Sequence, residues 1–208
     1  MLERVDHLVY AAPDLDAAID ALESTVGVRA KPGGRHPGEG TRNALIALGP
    51  ASYLEILAPD PEQPLPDRPL WLGLEGLVRP RLTAWAVQAR HLEGVVDRAA
   101  AAGVRLGGVA EGSRQNAGGK LLSWQFTDPH LMTAEGLVPF FIDWGTSPHP
   151  AASAPGGVSL FALRGEHPNP AGVRALLRGL GLRLPVTKGP RAALVAGLET
   201  PKGFVELR

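Results

Sequence analysis

Apolar and polar residues alternate over Arg4 to Ala11, which predicts a strand with Val5, His7 and Val9 on one face and Leu8 and Tyr10 on the other. Pro13-Asp14 then opens a helix with Asp14 as its N-cap. Leu15, Ala18, Ile19, Leu22 and Val26 recur at helical spacing, and Gly27 stops the helix. A short edge segment over Val28 to Lys31 leads into a glycine-rich loop from Gly33 that carries His36. Two apolar strands follow, Arg42 to Leu48 and Ser52 to Ala58. Alternation places Tyr53, Glu55 and Leu57 on one face of the second strand and Leu54 and Ile56 on the other. If Leu54 and Ile56 pack on the helix, Glu55 points into whatever the sheet encloses. A carboxylate buried there needs a metal, a histidine or a proton; the alternative is a solvated sheet face.

The order then repeats. A proline-rich linker over residues 59–81 contains Leu70 to Leu77, which reads as a short helix carrying Trp71. Leu82 to Ala89 is a strand, His91 to Ala102 a helix stopped by Gly103, and Val104 to Val109 a short strand. Glu111 to Gly119 reads as a polar loop, followed by strands over Leu121 to Thr127 and Leu137 to Trp144. A second linker, residues 147–157, leads to a third cycle: strand Val158 to Leu163, helix Pro170 to Leu180 capped by Asn169, and strands Leu184 to Lys188, Ala192 to Leu198 and Gly203 to Leu207. Matched positions, Tyr53-Leu-Glu55-Ile against Phe204-Val-Glu206-Leu among them, point to duplication. The predicted architecture is an α+β fold of βαβββ modules at 1–58 and 82–146, with a related third module at 158–208 and mixed sheets curled around a cup.

Composition narrows the function classes. Lys and Arg together number 21, as do Asp and Glu, so no broad electrostatic attraction to nucleic acid or an anionic membrane is expected. The absence of cysteine excludes disulfides, thiolate metal sites and a cysteine nucleophile. The amino terminus is too short and too charged for a signal peptide, and no apolar run spans a bilayer, so a cytoplasmic protein is expected. No G-x-S-x-G elbow, Walker loop or dinucleotide fingerprint is present.

VDHLVYAAPDLDAAI, GGRHPGEGTRNALIALGPASYLEIL, SRQNAGGKLLSWQF and PFFIDWG together resemble the glyoxalase-like domains of the vicinal oxygen chelate superfamily over most of residues 4–145. The resemblance implies paired βαβββ modules around a cup with a divalent metal at its base, the first and last strands of each module supplying ligands. His7 and Glu55 match the ligand positions of the first module. In the second, Ala84 falls near the position of His7, and only Asp143 offers a match to Glu55, so the implied four-ligand set is incomplete. Lyases, isomerases, hydrolases and ring-cleaving dioxygenases share this fold, as do antibiotic-binding resistance proteins, and the fold does not choose among them. Homodimers are common with this architecture.

Three chemistries follow for the candidate residues. His7, His36 and Glu55 suit a divalent ion such as iron, manganese, zinc or nickel, with open positions for substrate or water. Without a metal, His7 and Glu55 form an acid–base pair, or a purely structural one. In a non-catalytic binder, the cup sequesters a small molecule through Arg114, Asn43, Trp124 and Gln125. Arg114 is a natural clamp for a carboxylate or phosphate, while Thr41 and Asn43, from the Gly-Thr-x-Asn segment, contact ligand or cap the preceding turn. Glu206 is expected to be structural because Leu160 replaces the histidine in its module, and His91, His130, His149 and His167 are expected to be solvated.

Overall fold

The computed structural model describes residues 2–115 and 121–208. β1 (Val5–Ala11) leads into α1 (Leu15–Val26), then β2 (Lys31–His36), β3 (Thr41–Gly49) and β4 (Ser52–Pro59). The order recurs as β5 (Arg81–Gln88), α2 (Leu92–Ala101), β6 (Val109–Gln115), β7 (Leu121–Thr127) and β8 (Phe140–Asp143). It recurs again as β9 (Ser159–His167), α3 (Pro170–Gly179), β10 (Val186–Lys188), β11 (Ala193–Thr200) and β12 (Gly203–Leu207). The sequence sets the helix ends. Asp14 accepts the Ala17 N–H at 2.8 Å, Gly27 closes α1 with φ 78°, and Asn169 accepts the Gly172 N–H at 3.0 Å before α3.

Among the described residues, the first eight strands curl into a closed barrel in the order β1-β4-β3-β2-β6-β7-β8-β5. The two modules join along β1 and β5, which run antiparallel, and meet again between β2 and β6, where Arg35 pairs with Gln115 among the described residues. Leu8, Leu54, Ile56 and Trp85 face outward into a core shared with the helices, and Val9, Ala11, Leu57, Ala84 and Ala86 face the interior. Trp85 is fully buried and donates its Nε1–H to Leu137 O at 3.0 Å. No helix among the described residues is long and apolar enough to cross a membrane.

Several elements differ from the sequence expectation. The glycine-rich stretch expected as a loop is strand β2, and most of the polar stretch expected as a loop after residue 110 is strand β6; residues 116–119 of that stretch lie outside the described residues. Gly33 and Gly112 are the reason. A Cβ at Gly33 would stand 2.2 Å from Asn43 Oδ1, and one at Gly112 would stand 2.5 Å from the Trp124 ring, so both strands need glycine to pass close to inward side chains. Residues 104–108 carry no strand, since β6 begins at Val109. Leu70–Leu77 forms successive turns and not a helix: Leu72, Gly73 and Gly76 take φ of 53°, 77° and 66°, in the left-handed region. Trp71, Leu72 and Leu74 tuck into the barrel interior instead.

The third unit keeps the strand and helix order of the modules but pairs its strands as β10-β9-β11-β12. Its first strand lies parallel to its second, whereas β1 lies parallel to β4. Leu163, Leu194, Ala196 and Leu198 on its inner face complete the core outside the barrel. Glu206 lies on the opposite side of this sheet, ion-paired to Arg164 at 2.9 Å and Arg208 at 3.0 Å. The linker before it packs onto β3, where Ala47 N–H donates to Pro155 O at 2.8 Å.

Candidate functional site

Three side chains from three strands converge inside the barrel. Glu55 of β4 places Oε2 3.7 Å from His7 Nε2 on β1 and Oε1 3.9 Å from His36 Nε2 on β2. All three are buried. Glu55 faces inward beside Tyr53 and Leu57, as strand parity requires, while Leu54 and Ile56 pack outside. His7 faces inward by the same alternation, in step with Val9 and Ala11. The β1–β5 register shifts between Val5 and His7, so Val5 joins Leu8 in the outer core and does not share the face of His7.

The same irregularity brings Asp6 into the interior. Its Oδ1 lies 2.7 Å from His7 Nδ1, and its Oδ2 accepts Trp144 Nε1–H at 3.0 Å and lies 3.2 Å from His149 Nε2. Burial alone would raise the Asp6 carboxyl, but the bonds from His149 and His7 outweigh it and hold it at about 2. An ionised Asp6 accepts the N–H of His7 Nδ1, which orients Nε2 toward Glu55. Tyr53 stacks on the His7 ring at 4.7 Å and Phe140 meets it edge-on at 5.4 Å. Burial, followed by the charges of Glu55 and Asp6, pushes the Tyr53 hydroxyl well above its ordinary range, so it stays protonated.

His36 ends β2 and pairs with Thr41 across the hairpin into β3. Its Nδ1 lies 3.0 Å from Thr41 Oγ1, which also accepts Trp71 Nε1–H at 3.2 Å. Burial lowers the His36 imidazole to about 4; Glu55 opposes the fall, and Arg114 and His7 add to it. His36 is therefore neutral near pH 7. Asn43 of β3 donates from Nδ2 to Glu55 Oε1 at 2.5 Å and stands 3.4 Å from His36 Nε2. The Asn43 Oδ1 is buried without a partner among the described residues. Arg114 of β6 reaches across the β2–β6 seam and donates to Gly33 O. With Trp124 and Phe126 as a further wall, the space left at the centre is about 30 Å³, enough for one water-sized group.

His7, His36, Asn43, Glu55, Arg114 and Trp124 therefore meet at one cavity. Thr41 stands behind it, fully buried, and holds His36 and Trp71 in place. Gln125 is a correction: it is exposed and points outward between the inward-facing Trp124 and Phe126. Asp143 is another. The pairs His7–Ala86 and Val9–Ala84 mirror each other about Leu8–Trp85, so Ala84 stands where His7 stands in the first module. Val9 lies opposite Glu55 as Ala86 lies opposite Phe140, so Phe140, and not Asp143, takes the place of Glu55. The sequence reading missed Asp6, Trp71 and Phe140, and it set His149 among the solvated histidines although it is largely buried against Asp6. Two consecutive polar residues, Asp6-His7, inside an apolar strand were the available signal of a bulge.

Two imidazoles and a carboxylate are a donor set for a divalent ion, and a carboxylate behind one imidazole is the usual outer partner of such a ligand. No three His, Asp or Glu side chains among the described residues stand at ligating spacing. The gaps of 3.7 and 3.9 Å would have to close by roughly half an ångström around an ion, with the Asn43 amide moving aside. The donor chemistry fits a cation; the spacing fits only after that contraction.

The sequence profile of a family described as glyoxalase-like domain matches residues 5–181. No curated protein matches the chain in sequence. Among solved structures, a hypothetical protein from Staphylococcus aureus overlays at a TM-score of 0.66 with 14% identity, covering 97% of this chain and 84% of its own. The methylmalonyl-CoA epimerase from Mycobacterium tuberculosis overlays at 0.44 with 20% identity, over 73% of this chain and 93% of its own. A Streptomyces coelicolor methylmalonyl-CoA epimerase in complex with 2-nitronate-propionyl-CoA overlays at 0.46 with 24% identity, over 68% and 97%.

Proposed function

The chain belongs to the glyoxalase-like domain family, and from that premise we propose that it is a small-molecule enzyme acting on an oxygen-rich, carboxylated substrate inside the barrel. The observation that carries this reading is the convergence of His7, His36 and Glu55 around one buried cavity. In it, the Nε2 atoms of His7 and His36 and the carboxylate of Glu55 would hold a divalent ion such as iron, manganese, zinc or nickel. When bound, such an ion would supply Lewis-acid polarisation to adjacent substrate oxygens. Asp6 fixes the orientation and tautomer of His7. Tyr53, Trp71 and Phe140 exclude water, and Arg114 orients the carboxylate of the substrate.

The second reading is a metal-free binder that uses the same cavity. Asn43 favours it, because its amide already satisfies Glu55 and occupies the gap toward His36. The test is elemental analysis of untagged protein. Near-stoichiometric metal that is lost in His7→Ala is the expected result. Protein that takes up none after reconstitution with iron, manganese, zinc and nickel overturns the metalloenzyme and leaves the binder.

A further inference from the structure

Arg114 is the wall between two chambers. On one side is the central cavity beside His7, His36 and Glu55. On the other is a larger space of about 210 Å³, roofed by the linker around Pro150 and bordered by Lys31, Gly33, Leu122 and His149. Arg114 is only 4% exposed. Among the described residues its hydrogen bond goes to a neutral carbonyl, Gly33 O, and no carboxylate stands within ion-pair range of it. Among the described residues, then, this buried guanidinium meets a neutral acceptor and no opposing charge, which leaves it suited to an anion.

The rest of the outer chamber has the same character. Lys31 places a second cation at its rim, with Nζ 3.5 Å from Ser153 O. The roof is chemically neutral, because residues 147–157 contain no Asp or Glu. His149 turns its Nε2 away toward Asp6, 3.2 Å from Oδ2, so the nearest carboxylate on that side already has a hydrogen-bond partner. The chamber therefore offers two cations and no opposing acid among its lining residues.

We propose that this outer chamber is a carboxylate subsite, with Arg114 and Lys31 as its recognition residues. The inference rests on the enzyme reading above and extends it to a substrate class: a short carboxylic acid with oxygens on adjacent carbons. Its carboxylate lies in the outer chamber and its vicinal oxygens reach past Arg114 toward Glu55 and the two histidines. The planar fork of Arg114 matches a carboxylate, and Lys31 adds charge without directional demand. The contact with Gly33 O also spans the β2–β6 seam, so an arriving carboxylate competes for the guanidinium that holds this seam.

The test is calorimetric titration with pyruvate, its neutral ester methyl pyruvate, and inorganic phosphate, on protein as purified and after metal removal by chelation. Saturable binding of pyruvate, with methyl pyruvate at least about tenfold weaker, is expected. Arg114→Gln should abolish that preference. Lys31→Ala, at an exposed position, should weaken pyruvate several-fold at an unchanged melting temperature, and it keeps the test valid if the Arg114 variant misfolds. No binding of pyruvate, equal binding of the ester, or wild-type affinity in Lys31→Ala overturns the subsite. Phosphate binding more tightly than pyruvate overturns the carboxylate assignment. Lys31-dependent pyruvate binding in a protein that takes up no metal would keep the subsite and discard the metalloenzyme.

Discussion

Asp6 and His7 are neighbours in sequence on a strand, yet both turn into the barrel, and Asp6 Oδ1 lies 2.7 Å from His7 Nδ1. A regular strand would have sent them to opposite faces. The bulge therefore builds the support of the candidate catalytic histidine from the adjacent residue. Asp6→Asn leaves the shape but removes the charge that takes the His7 proton. Metal affinity should fall roughly 10- to 100-fold, the usual cost of losing such an outer partner. Nitrogen NMR of the imidazole should show the His7 tautomer released. An unchanged tautomer and affinity would reduce Asp6 to a structural acid.

Glu55 and Glu206 occupy similar sequence contexts and opposite roles. Glu55 faces both histidines inside the barrel, and Glu206 pairs with arginines on the open side of the third sheet. Glu55→Gln should sharply reduce metal occupancy by elemental analysis, while Glu206→Gln should leave it unchanged. Equal effects would sink the division of roles.

Acid should weaken the chelated protein in two stages. His36 has a folded-state value depressed from 6.5 to about 4, so the unfolded chain takes up a proton that the folded chain refuses. Stability contributed by neutral His36 is full above about 6.5 and is lost as pH falls toward 4, a change of roughly 3 kcal/mol. Asp6, lowered from 3.8 to about 2, adds a second loss of about 2 kcal/mol as pH falls through that interval. Urea denaturation across this range should show the first stage flattened in His36→Gln. A first stage that persists in the variant would assign it to other groups.

Gly33→Ala tests how closely β2 passes over Asn43. The added methyl would stand 2.2 Å from Asn43 Oδ1 and 3.0 Å from Arg114 Nη1, two atoms held in place by the site. The cost should be about 1–3 kcal/mol in stability, with loss of metal or ligand binding. Gly108→Ala, where nothing lies within 4 Å, should change neither by a measurable amount.

Much of the fold is legible in the sequence because it is written in periodicity. The inward face of Glu55, the caps at Asp14 and Asn169 and the stop at Gly27 all follow from local rules. Glycines misled the reading at β2 and β6, since a glycine that avoids a distant side chain looks like one that makes a turn. The strand pairing of the third unit was not legible either, because element order does not determine which strands meet. The site was half legible. His7, His36 and Glu55 stood out as rare polar residues, but Asp6 depended on a bulge, and Trp71 and His149 on how the two linkers pack.

The two halves of the barrel repeat one order of elements, and on the proposed reading only one of them carries the chemistry. Ala84 and Phe140 stand where the first half holds His7 and Glu55. On that reading the second half can change without removing either histidine or the carboxylate, so the range of molecules the barrel accepts can drift there. Replacements at Phe140 and at the neighbouring Ile142 should therefore alter preference among ligands, while His7, His36 and Glu55, on the other half, stay in place.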